Sequence, residues 1–213
     1  MTIHQSPLQL LIEALACVAA ADLVTGAVHW LEDTYGSETW PLVGPAIIAP
    51  NRLHHEQPRA FIARSWWSSS QQSVIAGGIV AAGLFVAGWL SWQAVLFLVV
   101  AVNANEIHKW AHRTRAENGR LITALQRAGL VQSRAHHGGH HGGARDTRYC
   151  VVTPWLNPVL DRAGFWRGVE RAIAAVSGVA PRLDEAARRA RASDRRDPGP
   201  TASAFAGVGA TAR

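Results

Sequence analysis

Charge is scarce in this 213-residue chain: Asp, Glu, Lys and Arg together make up 17%, where a soluble domain usually carries about 25%. No Lys or Arg stands before Arg52, and none between Arg64 and Lys109. The net charge of +6 is therefore not spread as a basic face, and the reading excludes nucleic acid as a partner. Cysteine is scarcer still. Cys17 and Cys150 are the only two, and one lies in an apolar run, which argues against a disulfide and excludes a CxxC site. No GxGxxG follows a strand pattern, so a built-in nucleotide or flavin site has no signature. The first apolar run has no positive segment ahead of it and no cleavage site, so it reads as an anchor rather than a signal peptide.

What fills the chain instead is apolar sequence, 48% of residues, with nine Trp. One run extends from about Leu8 to Trp30 and is long enough to cross a bilayer. Glu13 and Asp22 inside it are costly in lipid and should face protein or water. A second run, Val74 to Val102, has no formal charge and is interrupted by "GWLSWQ". It reads as a hairpin, with spans of about Val74–Leu90 and Gln93–His112, or else as one long tilted helix. Basic residues on both sides (Arg52, Arg59 and Arg64; Lys109, Arg113 and Arg115) favour the hairpin, with both ends in the cytoplasm. "WPLVGPAIIAP" is too short to span and suits a re-entrant or interfacial segment. "LITALQRAGL" and "LDRAGFWRGVERAIAAVSGV" suit interfacial helices. The expectation is an all-α inner-membrane protein with about three spans. Residues 1–181 would form one domain, and the Arg/Ala-rich 182–213 a disordered tail.

Nine of the ten histidines then fall on the cytoplasmic side. His29 ends the first span, and His54 and His55 stand in "NRLHHE". His108 and His112 form "HKWAH", four apart on one helix face. His136, His137, His140 and His141 make up "HHGGHH", whose glycines would let the backbone bend between ions. Asn105 shares the His108 face, and Asp22 shares the His29 face. Imidazole suits Zn, Cu, Fe or Ni, and one zinc needs about four ligands. A zinc transporter would carry polar groups through its membrane interior, and "VIAGGIVAAGLFVAGWL" has none.

The segments "ADLVTGAVHWLEDTYGS", "PLVGPAIIAPNRLHHEQPRAFIAR", "NEIHKWAH" and "HHGGHH…TRYCVVTPWLNPVLDRAGFWRGVE" resemble, in order and spacing, the Kua/CarF-type lipid desaturases. The resemblance covers about residues 20–180. It implies a histidine-ligated di-iron, O2-dependent membrane lipid desaturase supplied with electrons by an external donor: a ferredoxin, a cytochrome b5-like protein or a flavoprotein. The nine histidines map onto the family's histidines, and Asp22 onto its acid, as a ligand or as a partner orienting one. Asn105 could take either role. "GFWRxxE" resembles the plasmanyl-lipid branch, which forms plasmalogen vinyl ethers; a phospholipid acyl-chain desaturase or hydroxylase is the alternative, and a non-enzymatic metal-binding protein a third. Arg145 stands where that branch carries a further histidine. Arg52, Arg64, Trp66 and Trp67 are placed either to meet a headgroup or to anchor the chain at the interface.

Overall fold

The computed structural model describes residues 5–142 and 144–182; among these the fold is entirely helical. Residues 183–213, the bulk of the expected tail, lie outside the described residues.

Helix α1 runs Pro7–Thr34. Ser6 caps it, accepting from the Gln9 amide while the Gln9 side chain returns to the Ser6 amide, and Pro7 supplies a first-turn residue with no amide to satisfy. At 1.5 Å per residue its 28 residues reach about 42 Å, beyond the roughly 30 Å of hydrocarbon. Counted from Leu8, the hydrocarbon is crossed by about residue 28, which leaves His29 to Thr34 at the far boundary. The burial pattern agrees. Leu8, Leu11 and Ile12 are exposed, whereas Asp22, Gly26, His29, Trp30, Asp33 and Thr34 are buried.

After a π-helical turn (Gly44–Ile48), α2 (Ala49–Glu56) and α3 (Pro58–Ile62) lead to α4 (Trp66–Val86). The segment expected to be re-entrant is thus helical and continuous with α2. Helix α4 begins eight residues before the expected Val74, because Ser65 caps the polar "WWSSSQQS" stretch as helix. Ile75, Ile79, Phe85 and Val86 are exposed along it, an apolar surface that a bilayer covers. A short connection with Gly88 at φ 73 leads to Ser91, which caps α5 (Trp92–Val102). The hairpin is therefore present, but the third expected span is broken at Asn103 (φ −92, ψ 3) into α5 and α6 (Ala104–His112). Two helices, α1 and α4, are long and apolar enough to cross a membrane; the 11 residues of α5 alone reach only about 16 Å.

Helix α5 lies along both α1 and α4. There Gln93 donates to Glu13 at 2.8 Å, so the charge inside the first apolar run faces protein. Helices α7 (Arg115–Arg127), α8 (Arg134–His141), α9 (Asn157–Arg162) and α10 (Phe165–Ser177) complete the fold. The "HHGGHH" stretch does not bend at its glycines. It is the body of α8, started by Ser133 accepting from the His136 amide. Gly139 instead provides clearance: a Cβ there would collide with the Arg148 guanidinium, which donates to the His136 carbonyl at 2.9 Å.

One extended stretch, residues 149–153, crosses the buried face of α1. Gly26 allows the approach, since a Cβ would stand 2.8–3.0 Å from Cys150 atoms, backbone included. Asp22 fastens it. Its carboxylate accepts from the Val152 amide (2.8 Å), the Thr153 amide (2.9 Å) and the Thr153 hydroxyl (2.7 Å).

Candidate metal centre

Two groups of donors meet at the inner ends of these helices. His54, His108, His112, His137 and His141 form one; His29, Asp33, His55 and His140 form the other. Helical spacing builds both. His108 and His112 are one turn apart on α6, His137 and His141 one turn apart on α8, and His29 and Asp33 one turn apart on α1. His54 and His55, neighbours on α2 with ring centroids 4.4 Å apart, serve different groups.

The first group cannot be held by hydrogen bonds alone. The His137 Nε2 lies 2.7 Å from the Nε2 of His108, 3.0 Å from that of His112 and 3.0 Å from that of His141. A ring nitrogen carries at most one proton, so three such contacts cannot all be satisfied at one atom. Nitrogens sharing an ion at about 2.1 Å stand roughly 3.0–3.4 Å apart, the scale seen here. In the second group, Asp33 accepts from Asn51 (2.7 Å) and lies 3.0 Å from the His55 Nε2 through Oδ1. Its Oδ2 has no hydrogen-bond partner and faces the bare Nε2 atoms of His29 (3.5 Å) and His140 (3.3 Å). Orphaned buried acceptors converging on one point fit a cation.

Backbone carbonyls aim these rings. His29 donates from Nδ1 to Tyr149 O (3.1 Å), His54 to Asn51 O (2.8 Å) and His140 to Thr147 O (2.7 Å). A carbonyl only accepts, so each Nδ1 carries the proton and each Nε2 offers a lone pair to the centre. Burial, then repulsion from neighbouring imidazoles, holds His54 and His137 well below the ordinary imidazole range, and burial likewise lowers His141. His55 is lowered too, by burial first, with Asp33 opposing. These rings are neutral at neutral pH, as ligands must be.

Eight of the nine expected histidines are thus brought together, and His136 is not: it accepts from Asn157 Nδ2 at 3.1 Å. Asp22 does not touch a histidine; its oxygens hold the crossing stretch whose Tyr149 carbonyl orients His29. Asn105 joins no donor group and donates to Ser69 O at 2.6 Å, tying α6 to α4. Arg145 donates to the His55 carbonyl (3.2 Å) and so supports a donor's backbone. The ninth donor is Asp33, which sequence reasoning missed although "HWLED" places it four residues after His29, the spacing used for "HKWAH".

Beside the centre lies a cavity of about 370 Å³. Its wall holds His29 from one group and His54 and His108 from the other, and it continues between α4 and α5 past Ala76, Gly77, Val80, Phe97 and Leu98. A buried nitrogen-and-carboxylate centre opening onto an apolar cavity between membrane-length helices defines a metal-binding membrane enzyme acting on an apolar chain. The chain belongs to the lipid desaturase domain family, which it matches over residues 18–184. Plasmanylethanolamine desaturase 1 of Mus musculus is 30% identical over 187 residues, 82% of this chain and 69% of the relative. Plasmanylethanolamine desaturase of Myxococcus xanthus is 33% identical, covering 83% and 64%. The chloroplastic fatty acid desaturase 4-like 1 of Arabidopsis thaliana is also 33% identical, covering 79% and 59%. No solved structure matches.

Proposed function

We propose that this lipid desaturase is an O2-dependent di-iron enzyme that converts a plasmanyl (1-O-alkyl) phospholipid into the vinyl-ether plasmalogen. The observation that carries the reading is the single cavity reaching both donor groups at one end and the apolar faces of α4 and α5 at the other. His54, His108, His112, His137 and His141 would hold one iron; His29, Asp33, His55 and His140 the other. O2, two protons and two electrons accept two vicinal hydrogens of the lipid, leaving a double bond and two waters, and activating O2 is the chemistry the irons supply. The chain's own contribution is placement. Phe97, Leu98 and Val80 exclude water from the alkyl chain, Gly77 keeps the passage open, and the carbonyls of Asn51, Thr147 and Tyr149 hold the imidazoles in their ligand tautomers.

The electrons come from a separate donor: a ferredoxin, a cytochrome b5-like protein or a flavoprotein. Arg52, Arg59, Arg64, Lys109 and Arg113, gathered near the centre's end of the helices, support an inner-membrane setting with that end in the cytoplasm. The Arabidopsis relative supports a second reading, a phospholipid acyl-chain desaturase.

The two readings separate in a plasmalogen-free bacterium expressing the chain and fed 1-O-alkyl lipid. Acid-labile vinyl ethers are expected with the intact protein and not with His108→Ala. A new acyl double bond without vinyl ether selects the second reading, and a hydroxylated chain overturns desaturation.

A further inference from the structure

The cavity has a polar end that the reaction itself does not use. Ser68, Gln72 and Arg64 line it from α4 and the residue before its cap, and Glu32 from α1, while Ala76, Gly77 and Val80 line the deeper limb. From Ser68 to Val80 the α4 wall extends about 18 Å, changing from hydroxyl and amide to hydrocarbon. Such a gradient matches a phospholipid lying along it, chain inward and headgroup at the boundary reached by the last turn of α1.

The two charges at the polar end are each without a counter-charge. Arg64 spends two donors on Ser68 (Nε to Oγ 3.1 Å; Nη2 to O 2.5 Å), and no carboxylate lies within ion-pair distance of it among the described residues. Its neighbours differ: Arg59 pairs with Glu117, and both Lys109 and Arg113 with Glu106. The Lys109 ammonium even donates to the Arg64 carbonyl, fixing the backbone that carries the guanidinium. Glu32, also on the cavity wall, has no hydrogen-bond or ion-pair partner among the described residues and stands outside both donor groups. An unpaired anion and an unpaired cation on one cavity wall are costly unless a ligand bears the complementary pair.

We propose that Glu32 and Arg64 clamp a zwitterionic aminophospholipid headgroup, Arg64 holding the phosphate and Glu32 the primary ammonium. The proposal rests on the phospholipid-desaturase reading above and adds what selects the substrate. A guanidinium suits phosphate geometry, and a primary ammonium offers three N–H donors to a carboxylate. A quaternary choline offers none, and a phosphoglycerol headgroup leaves Glu32 without a cation. The apolar limb commits the ligand to lipid rather than to free phosphoethanolamine.

The test measures binding, not turnover. The solubilised full chain is equilibrated with micelles containing equal parts of phosphoethanolamine, phosphocholine and phosphoglycerol lipids, and bound lipid is counted by native mass spectrometry. The unaltered chain is expected to favour phosphoethanolamine. Glu32→Gln should reduce that preference roughly tenfold, the scale of one charge-assisted hydrogen bond, and Glu32→Asp should restore part of it. Arg64→Gln should lower retention of all three lipids together, with Arg64→Lys in between. An unchanged headgroup ratio in Glu32→Gln, or unchanged retention in Arg64→Gln, overturns the clamp; chain-free phosphoethanolamine competing as well as the lipid overturns the lipid assignment. Headgroup selection by a protein that forms no vinyl ether overturns the reaction proposed above and leaves the clamp standing.

Discussion

Asp33 and His136 show how little separates a donor from a bystander. Asp33 presents an unpartnered oxygen to two bare imidazole nitrogens, while His136, next to the buried donor His137, spends its ring nitrogen on Asn157. His136→Ala should therefore keep the iron content of the purified protein, whereas His137→Ala and Asp33→Ala should each lose iron, measured by elemental analysis. Iron loss in His136→Ala as severe as in His137→Ala would place it among the ligands. Asp22 acts at the same scale without touching the centre. Removing its carboxylate leaves two buried amides and a hydroxyl unpaired, each worth about 1–3 kcal/mol. Asp22→Ala is expected to cost about 3 kcal/mol or more, read as a lowered melting temperature in detergent.

Elements carry the next level, and here the sequence reads unevenly. The one-turn pairs on α6 and α8 are visible because helical spacing is local: four residues always return to the same face. The start of α4 is hidden, since "WWSSSQQS" is polar and only Ser65 as a cap marks it as helix. The break at Asn103 lies inside an apolar pattern that continues through it. "HHGGHH" misleads by composition; its glycines suggest a bend, but the Ser133 cap and the convergence of His137, His140 and His141 outweigh the roughly 1 kcal/mol each costs in a helix. The pairing of Asp22 with residues 152 and 153 leaves no local trace at all. Gly26 belongs with that crossing: Gly26→Val would press against the Cys150 backbone and force the stretch off α1, at about 1–3 kcal/mol. Lower thermal stability and loss of iron together are expected, because Tyr149, which aims His29, moves with Cys150.

For the whole molecule, many buried neutral imidazoles make stability depend on pH. His54, His55, His137 and His141 have folded values below the ordinary 6.5, so the unfolded chain binds protons first as pH falls. Their contribution is complete above about pH 6.5 and is lost below it, at about 1.4 kcal/mol per pH unit for each group. Metal release acts in the same direction, since a protonated imidazole cannot ligate. Melting temperature and iron content should hold from pH 8 to 7 and fall together toward pH 5; a melting temperature flat down to pH 5 would show that these rings are not buried neutral.

The clasp between Asp22 and the amides of Val152 and Thr153 also sets a timetable for synthesis. Helix α1 is made first, yet the backbone that satisfies its acid lies 130 residues later. At the usual 5–20 residues per second, that is a wait of roughly 7 to 26 s. Through that interval the nascent helix holds an unsatisfied carboxylate within the bilayer, the state that membrane proteases and insertases are able to sense. A ribosome halted before Thr153 would release a chain with both apolar spans in place and no means of closing its centre, marked for removal by the residue that later locks the finished protein.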